Sequence, residues 1–263
     1  MAINQIYPVI TAGDATDTIE LALESLREFP EVIVYGYGRP RRIRDICAAY
    51  PNAQFADGDF LGAGRTKNQA ASLAEGDWIF ALDADEFVSD GLLATLRSLE
   101  LCDPPTAYSV HRHNLFMGRD MHWGGWGNEW VVRLYNRRKY HFGDAAVHGR
   151  VVLATGTKIV PLEGALWHHA VIDIDQLLPR ISRDTDLARH AAGKVPSPPG
   201  ILMRTLWAFC RCYVVKLGFL EGWRGLVIAT SNAVETFFLH MKRYANRAVP
   251  ARSAANLGSR PRA

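Results

Sequence analysis

The first hundred residues alternate between short apolar segments and helical patterns, and this alternation constrains the fold more than any other feature of the sequence. Strands are predicted over 6–11, 32–35, 54–56 and 77–82, with helices over 41–50 and 64–75 and others opening near 17 and 89. Repeated strand–helix units of this length imply a mostly parallel sheet with helices on both faces. Ligands of such α/β sheets bind at the carboxyl ends of the strands.

Two helix starts carry capping signals. Asp17 and Glu20 have the spacing of a capping box, and Ser89 is a predicted N-cap.

The pattern changes after residue 106. Strands are predicted near 107–113, 130–135 and 147–153, and the chain turns helical from about 174 with a break at 194–200. The last residues are mainly Arg, Ala, Pro, Ser and Gly, which is typical of a frayed tail. We therefore expect a first domain over 1–173, a C-terminal helical region over 174–246 and a disordered tail over 247–263.

Composition excludes several classes of protein. The 263 residues are 48% hydrophobic and 22% charged, which rules out a wholly disordered chain. A net charge of +3 is too small to indicate nucleic-acid binding. The N-terminus lacks the pattern of a secretory signal, and no apolar window reaches the roughly 18 residues of a membrane span. The four cysteines form no CxxC pair, so we expect free thiols in a reducing cytoplasm.

The sharpest chemical signal is the acidic run Asp83-Ala84-Asp85-Glu86, directly after the apolar segment DWIFAL. Three carboxylates this close repel each other unless a cation or hydrogen-bond donors offset the repulsion. Carboxylate oxygens suit Mg²⁺ or Mn²⁺, which could bridge the diphosphate of a nucleotide. The alternative is a solvated acidic turn near the positive end of the next helix.

A longer set of segments resembles a known family. The acidic run lies within GAGRTKNQAASLAEGDWIFALDADEFVSDGL, and the similarity continues through HNLFMGRDMHWGGWGNEWVVRLYNRR, AVHGRV, LWHHAVIDI and VVKLGFLEGWRGLVIA. These segments resemble the family 2 glycosyltransferases, which are inverting enzymes of the GT-A fold. The subgroup they most resemble is the short bacterial enzymes similar to lipopolysaccharide core glucosyltransferases. The resemblance covers roughly residues 5 to 245, and it implies a GT-A-like sheet with a C-terminal helical appendage.

The resemblance implies a donor site. Asp83 and Asp85 match the family's DxD motif, with Asp85 expected to be the direct ligand of Mg²⁺ or Mn²⁺. Lys67 and Asn68 match a basic-Asn pair on the donor side of the cleft. His148 matches the His of a Val-His-Glu block, where it would ligate the metal or bind a phosphate; a structural role is the alternative.

The resemblance also implies an acceptor site. Glu129 matches the acidic residue expected to remove the proton of the acceptor hydroxyl; the alternative is a salt bridge to Arg133. Trp123, Trp126 and Trp130 could form a stacking platform for a sugar, with core packing as the equal alternative.

Two further histidines, His168 and His169, match a family His that follows a short strand. One of them is expected to face the site and the other to pack.

One segment departs from the family pattern. Where the family has an Asp-containing turn that meets the nucleotide base, this chain has Tyr35-Gly36-Tyr37-Gly38-Arg39. Tyr35 or Tyr37 could stack on a base, and Arg39 or a following Arg could reach a phosphate. The departure equally allows an unusual donor or a loss of donor binding.

The C-terminal helical segments mix aromatic and basic residues over 202–216 and 226–243, as helices at a membrane surface do, although packing against the rest of the protein is an equal alternative.

The expected function is a metal-dependent transfer of sugar from a nucleotide-sugar to a glycolipid or surface-polysaccharide precursor. We expect a cytoplasmic location, with peripheral association with the inner face of the membrane as an extension. A non-catalytic glycan- or partner-binding relative and a nucleotide-sugar hydrolase are the alternatives.

Overall fold

The computed structural model describes residues 2–13, 17–38, 40–102, 105–127, 129–144, 149–190 and 195–248. It divides the chain into two compact units. One comprises Met1–His122 and Trp126–Asp173, and the other comprises Trp123–Gly125 and Ile174–Ala263. Three of the features predicted from sequence, at Arg39, at His148 and in the tail after 248, lie outside the described residues.

The first unit contains the strands and four α-helices. The strands are β1 Ile6–Ala12, β2 Val32–Gly36, β3 Ala53–Asp57, β4 Trp78–Asp83, β5 Glu86–Val88, β6 Thr106–Phe116, β7 Arg119–Asp120, β8 Glu129–Asn136, β9 His141–Phe142, β10 Val151–Val152 and β11 Lys158–Val171. The helices are α1 Ile19–Ser25, α2 Pro40–Cys47, α3 Ala63–Ser72 and α4 Asp90–Ser98, after a 3₁₀ turn at Ala2–Gln5.

The described strands form a sheet in the order β3-β2-β1-β4-β8-β6-β11-β5, with β7 paired to β6. The four strands β1 to β4 are mutually parallel, and β6 is parallel to β11. Strand β8 runs antiparallel between β4 and β6, and β5 runs antiparallel to β11. Strands β9 and β10 form a separate antiparallel pair. The expected α/β class with a largely parallel sheet is confirmed.

The apolar segments of the central strands are continuous because both faces of the sheet are covered. Ile10 of β1 and Phe80 of β4 lie in the core cluster that contains residues of α1, α2 and α4. Val9 and Ile79, one residue away on the same strands, lie in the cluster that contains alanines of α3. Alternate side chains of a strand point to opposite faces, so a strand covered on both sides carries apolar residues at consecutive positions.

The two capping predictions had different outcomes. Ser89 caps α4, and its hydroxyl accepts a hydrogen bond from the Leu92 amide at 3.2 Å. The capping box at Asp17 was wrong, because the N-cap of α1 is Thr18 and its side chain makes no capping bond. The Thr18 hydroxyl instead donates to the carbonyl of Ala84 at 2.9 Å, and Asp17 pairs with Arg42.

The longest strand was expected only as a short strand before His168. Strand β11 spans 14 residues, but its ladder with β6 shifts register between Pro161 and Ala165 and again between His168 and Val171. Irregular pairing interrupts the strict alternation that makes a strand recognisable from sequence.

The second unit is helical. It contains a 3₁₀ turn at Ile174–Gln176 and helices α5 Leu177–Ala188, α6 Pro198–Cys210 and α7 Trp223–Ala248. Helix α6 continues into a π-helical turn at Arg211–Val215, which is followed by a 3₁₀ turn at Gly218–Glu221. No helix in the described part of the chain is both long and apolar enough to cross a membrane.

Candidate active site

The acidic run lies at the carboxyl end of β4. Asp83 is the last residue of that strand and pairs with Thr11 of β1, while β5 begins three residues later. Two hydrogen bonds hold the intervening turn in place: Thr18 Oγ1 donates to the Ala84 carbonyl, and the His169 amide donates to the Asp85 carbonyl at 2.8 Å. The run therefore occupies the edge of the sheet where α/β folds place their ligands.

The Asp83 carboxylate is held by two cations. Lys67 Nζ lies 2.5 Å from its Oδ1, and Arg133 Nη2 lies 3.0 Å from its Oδ2. Burial alone would raise the pKa of this carboxyl, but the charges of Lys67 and Arg133 outweigh burial and hold the pKa well below its usual range. Asp83 is consequently ionised at neutral pH, and both its oxygens already have donors.

Glu86 is the buried centre of the charge network. Its side chain is fully buried, and its Oε2 accepts the backbone amide of Asp83 at 3.0 Å. Its Oε1 accepts from Arg112 Nη1 at 3.0 Å and from Arg133 Nη2. A buried carboxylate is tolerated only when paired and hydrogen-bonded in this way.

A bulge in β8 directs the Arg133 side chain toward the carboxylates of Asp83 and Glu86. Tyr108 pairs with Leu134 and Ser109 pairs with Val132, so Arg133 is one extra residue on its strand. An extra residue in one strand redirects its side chain and commonly does so beside functional sites. Burial would lower the pKa of Arg133, but the charges of Glu86 and Asp83 raise it above its usual range.

Glu129 is clamped at the start of β8. Arg112, directly opposite on β6, donates from Nη2 to its Oε1 at 2.8 Å and from Nε to its Oε2 at 3.1 Å. Asn114 adds a third donor to Oε2 at 3.1 Å. The alternative of a salt bridge between Glu129 and Arg133 was wrong, because the β8 bulge turns Arg133 toward Asp83. Partial burial would raise the pKa of Glu129, but the charge and hydrogen bonds of Arg112 lower it.

His168 links this clamp to Asp85. Its Nδ1 lies 2.7 Å from Asn114 Oδ1, and its Nε2 lies 3.4 Å from Asp85 Oδ2. Because Asn114 donates through its amide nitrogen to Glu129 and to the Trp126 carbonyl, its oxygen must accept from His168. The other ring nitrogen, Nε2, faces the Asp85 carboxylate.

The described side chains of the site form one connected network. Its charged members are the cations Lys67, Arg112 and Arg133 and the carboxylates Asp83, Asp85, Glu86 and Glu129. No three His, Cys, Asp or Glu side chains among the described residues are grouped to hold a metal by themselves.

Two residues expected at the donor site occupy structural positions. Asn68 donates to the Phe142 carbonyl and accepts the Phe142 amide, both at 2.8 Å, so its amide group ties α3 to β9. Tyr35 is buried in the core, and its hydroxyl donates to the Asp59 carbonyl at 3.2 Å. A stacking role for Tyr35 is therefore corrected, because its ring offers no face to a ligand.

A different aromatic pair lies at this edge of the sheet. Tyr37 follows β2 and Phe60 follows β3, and their ring centroids are 5.1 Å apart. Phe60 is exposed. The sequence analysis named Tyr37 but missed Phe60, because an apolar residue in a loop carries no signal until the fold brings it beside a second ring.

The three tryptophans do not share one environment. Trp123 is exposed and belongs to the second unit, where its amide donates to Glu221 Oε1 at 3.0 Å. Trp126 and Trp130 belong to the first unit; Trp130 is exposed and stacks on His111 at 5.1 Å. Acceptor contacts of Trp123 and Trp126 remain a prediction.

The remaining sequence predictions for this site concern the paired histidines and the thiols. His168 joins the network and His169 stacks on Phe87 at 5.4 Å. That His168 is the one that faces a ligand stays a prediction. All four cysteines are free thiols, as expected.

Three members of the network had no role in the sequence prediction: Arg112, Asn114 and, as a partner of Asp83, Arg133. Glu86 was predicted only as one carboxylate of the acidic run, not as the buried centre of the network. Arg112 and Asn114 belong to the polar run His111-Arg112-His113-Asn114 at the end of a predicted strand. The bulge that positions Arg133 has no signature in the sequence.

The fold and the site together define an α/β protein of the GT-A type, with its charged site at the carboxyl end of the parallel strands. The family model for "Glycosyl transferase family 2" matches residues 9–154, and the chain belongs to this family. The match begins within β1, extends just beyond β10 and contains most of the charge network.

Two curated relatives carry the same class of name. An uncharacterized glycosyltransferase of Rickettsia bellii (strain RML369-C) is 23% identical over 236 residues, covering 83% of this chain and 79% of the relative. The uncharacterized glycosyltransferase RP128 of Rickettsia prowazekii (strain Madrid E) is 25% identical over 184 residues, 64% of this chain and 62% of the relative.

Solved structures show more distant similarity. Residues 1–349 of S. aureus TarS match with 11% identity and a TM-score of 0.40, covering 93% of this chain and 91% of that structure. The inositol-1-phosphate CTP transferase of T. maritima matches with 8% identity and a TM-score of 0.45, covering 73% and 99%.

Proposed function

We propose that this glycosyltransferase moves a sugar, with inversion and with the help of a divalent metal, from a nucleotide-sugar to a glycolipid or surface-polysaccharide precursor. The observation that carries the proposal is the continuous chain of contacts from Asp85 through His168 and Asn114 to Glu129. It joins Asp85, the candidate donor-side carboxylate, to Glu129, the candidate base, through side-chain contacts of 2.7–3.4 Å.

The donor would bind at the carboxyl ends of β1, β2 and β4. The Tyr37–Phe60 pair offers aromatic faces for the nucleobase, and the acidic run at Asp83 marks the diphosphate position. Lys67 and Arg133 hold Asp83 in place and lessen the repulsion between the clustered carboxylates and an anionic donor.

The residues present fit a divalent metal shared with the donor. Mg²⁺ is commonly held by one or two carboxylates together with substrate phosphates and water. Asp85 and the Nε2 atom of His168 are a suitable donor pair, whereas both oxygens of Asp83 are occupied by cations. When bound, Mg²⁺ or Mn²⁺ would supply positive charge against the diphosphate as it leaves.

Glu129 is the proposed base. Its lowered pKa keeps it ionised at neutral pH, as a proton acceptor must be, and the clamp of Arg112 and Asn114 fixes its orientation. The acceptor hydroxyl would give its proton to Glu129 as its oxygen bonds to the anomeric carbon and the bond to the diphosphate breaks.

Two substitutions separate the donor site from the base. Asp85→Asn should abolish the metal-dependent thermal shift produced by a nucleotide-sugar, because it removes the charged oxygen ligand. Glu129→Gln should keep that shift and lower the transfer rate about 10²–10⁴-fold. The measurement is a thermal-shift screen against UDP-, GDP-, CMP- and dTDP-sugars with and without Mn²⁺, followed by a transfer assay on membrane lipid extract.

Glu163→Gln is a matched control, since Glu163 is an exposed residue of β11 outside the network. Normal transfer by Glu129→Gln would refute the base assignment. Hydrolysis of the donor that no acceptor accelerates would favour a nucleotide-sugar hydrolase. The absence of any nucleotide-dependent shift would favour a non-catalytic binding protein.

A further inference from the structure

The second unit carries an unusual concentration of exposed apolar side chains. Between 202 and 226 they include Met203, Leu206, Trp207, Val215, Leu220 and Trp223. Met203 is 67% exposed and Trp207 60%. We call the exposed apolar side chains of residues 202–226 the apolar surface. Isolated exposed apolar residues are normal, but a dense group of them marks an interaction site.

The spacing of these residues places them on one side of α6 and of the turn that continues it. Met203, Trp207 and Val214 recur at intervals close to the helical repeat, and all three are exposed. Ile201 and Cys212 are buried. The helix therefore packs with one side and leaves an apolar stripe on another.

Positive charge accompanies the apolar surface. Residues 195–234 contain four cations, Arg204, Arg211, Lys216 and Arg224, and one acidic residue, Glu221. Glu221 is buried and accepts the Trp123 amide. The guanidinium of Arg224 lies 4.6 Å from the Trp223 ring centre, which places a cation beside an exposed aromatic ring.

We propose that the apolar surface docks on an anionic phospholipid bilayer, with its aromatic and aliphatic side chains among the acyl chains and its cations among the headgroups. This inference rests on the proposed function, because it specifies how the enzyme reaches a lipid-linked acceptor at the membrane. Tryptophan and long basic side chains are the residues that settle at a membrane interface. With no described helix able to span a bilayer, the mode is interfacial.

Charge favours the bilayer over a second copy of this chain. In a symmetric dimer built on the apolar surface, the cations of one copy would lie beside the same cations of the other. Anionic headgroups provide the complementary charge, and each cation near such a surface strengthens binding about fivefold.

The test is flotation of the full-length protein with vesicles of phosphatidylcholine, with and without phosphatidylglycerol. The wild type should float with the anionic vesicles and much less with the neutral ones. The double variant Met203→Gln/Trp207→Gln should weaken binding about tenfold or more. Arg211→Glu/Lys216→Glu should weaken it about 25-fold or more and remove the preference for anionic lipid.

Leu178→Gln is the matched control, because Leu178 is 69% exposed on α5 outside the apolar surface. It should float like the wild type. Equal flotation of all the variants would overturn the proposal. So would a dimer, detected by light scattering without lipid, that Met203→Gln/Trp207→Gln dissociates.

Donor binding separates this inference from the proposed function. The surface variants should keep the metal-dependent thermal shift with the nucleotide-sugar, and Asp85→Asn should still bind vesicles. Loss of flotation with an intact donor shift would identify a failure of membrane docking alone.

Discussion

At the scale of the residue, the site depends on one carboxylate that water does not reach. Glu86 accepts hydrogen bonds from Arg112, Arg133 and the Asp83 amide. Because Arg133 also pairs with Asp83 and Arg112 with Glu129, Glu86 links these two carboxylates through the arginines. Removing one partner of a buried ion pair leaves the others desolvated without compensation, so the cost exceeds the net contribution of the intact pair. Asp83 and Glu129 are therefore held in position through the same side chain.

Glu86→Gln should lower the free energy of unfolding by about 3–5 kcal/mol, because it leaves the buried Arg133 and the partly buried Arg112 with one negative charge fewer. Urea denaturation followed by circular dichroism measures this. Glu28→Gln is the control: Glu28 pairs with Arg97 at the protein surface, and exposed pairs contribute little. Equal stability of Glu86→Gln and Glu28→Gln would contradict the structural role of Glu86.

At the scale of the element, irregular strands bring the network together. The bulge in β8 turns Arg133 inward, and the register shifts in β11 precede and follow His168. Gly164 lies within the first of these shifts, where its φ is 96° and a Cβ would lie 2.1 Å from the Leu92 amide nitrogen. The backbone of β11 thus approaches the first turn of α4 too closely for any side chain.

Gly164→Ala should destabilise the protein more than Gly156→Ala. Both glycines have positive φ, 96° and 86°, but a Cβ on Gly156 would meet nothing within 4 Å. Gly156→Ala should therefore cost only the backbone strain of about 1–2 kcal/mol, and Gly164→Ala should add the displacement of α4 from β11. Thermal unfolding of the two variants measures the difference. Equal melting temperatures would show that the strand can move without penalty.

At the scale of the whole molecule, the strands of the first unit's sheet differ in how well neighbouring strands and apolar side chains shield their backbone amides from water. Strand β1 lies between β2 and β4 and contributes to the core on both faces, whereas β3 is the terminal strand and is only partly buried. Backbone amides paired on both sides and covered by apolar groups open only in large unfolding events.

Hydrogen exchange should follow this order. Amides of β1 and β4 should exchange slowest and those of β3 fastest among the parallel strands, and mass spectrometry of peptic fragments can resolve the difference. Equal protection of β3 and β1 in the isolated protein would indicate that another segment or a second chain covers the β3 edge.

The sequence by itself determined the α/β class, the parallel strands and the position of the acidic run at the end of β4. The alternation of strand and helix segments along the chain predicts the class and the parallel strands. The apolar residues at consecutive positions before Asp83 predict a strand that is covered on both faces and ends at the acidic run. Ser89 was identifiable as a cap because its partner is three residues away.

Only the tertiary structure decided which charges meet. Strand pairing brings Arg112 into contact with Glu129, 17 residues away in the sequence. Glu86 contacts Arg133 across a separation of 47 residues, and Asn114 contacts His168 across 54 residues. Such contacts depend on strand order, register and bulges. These are set by the packing of the whole sheet, because a shift of one residue along a strand sends every side chain to the opposite face.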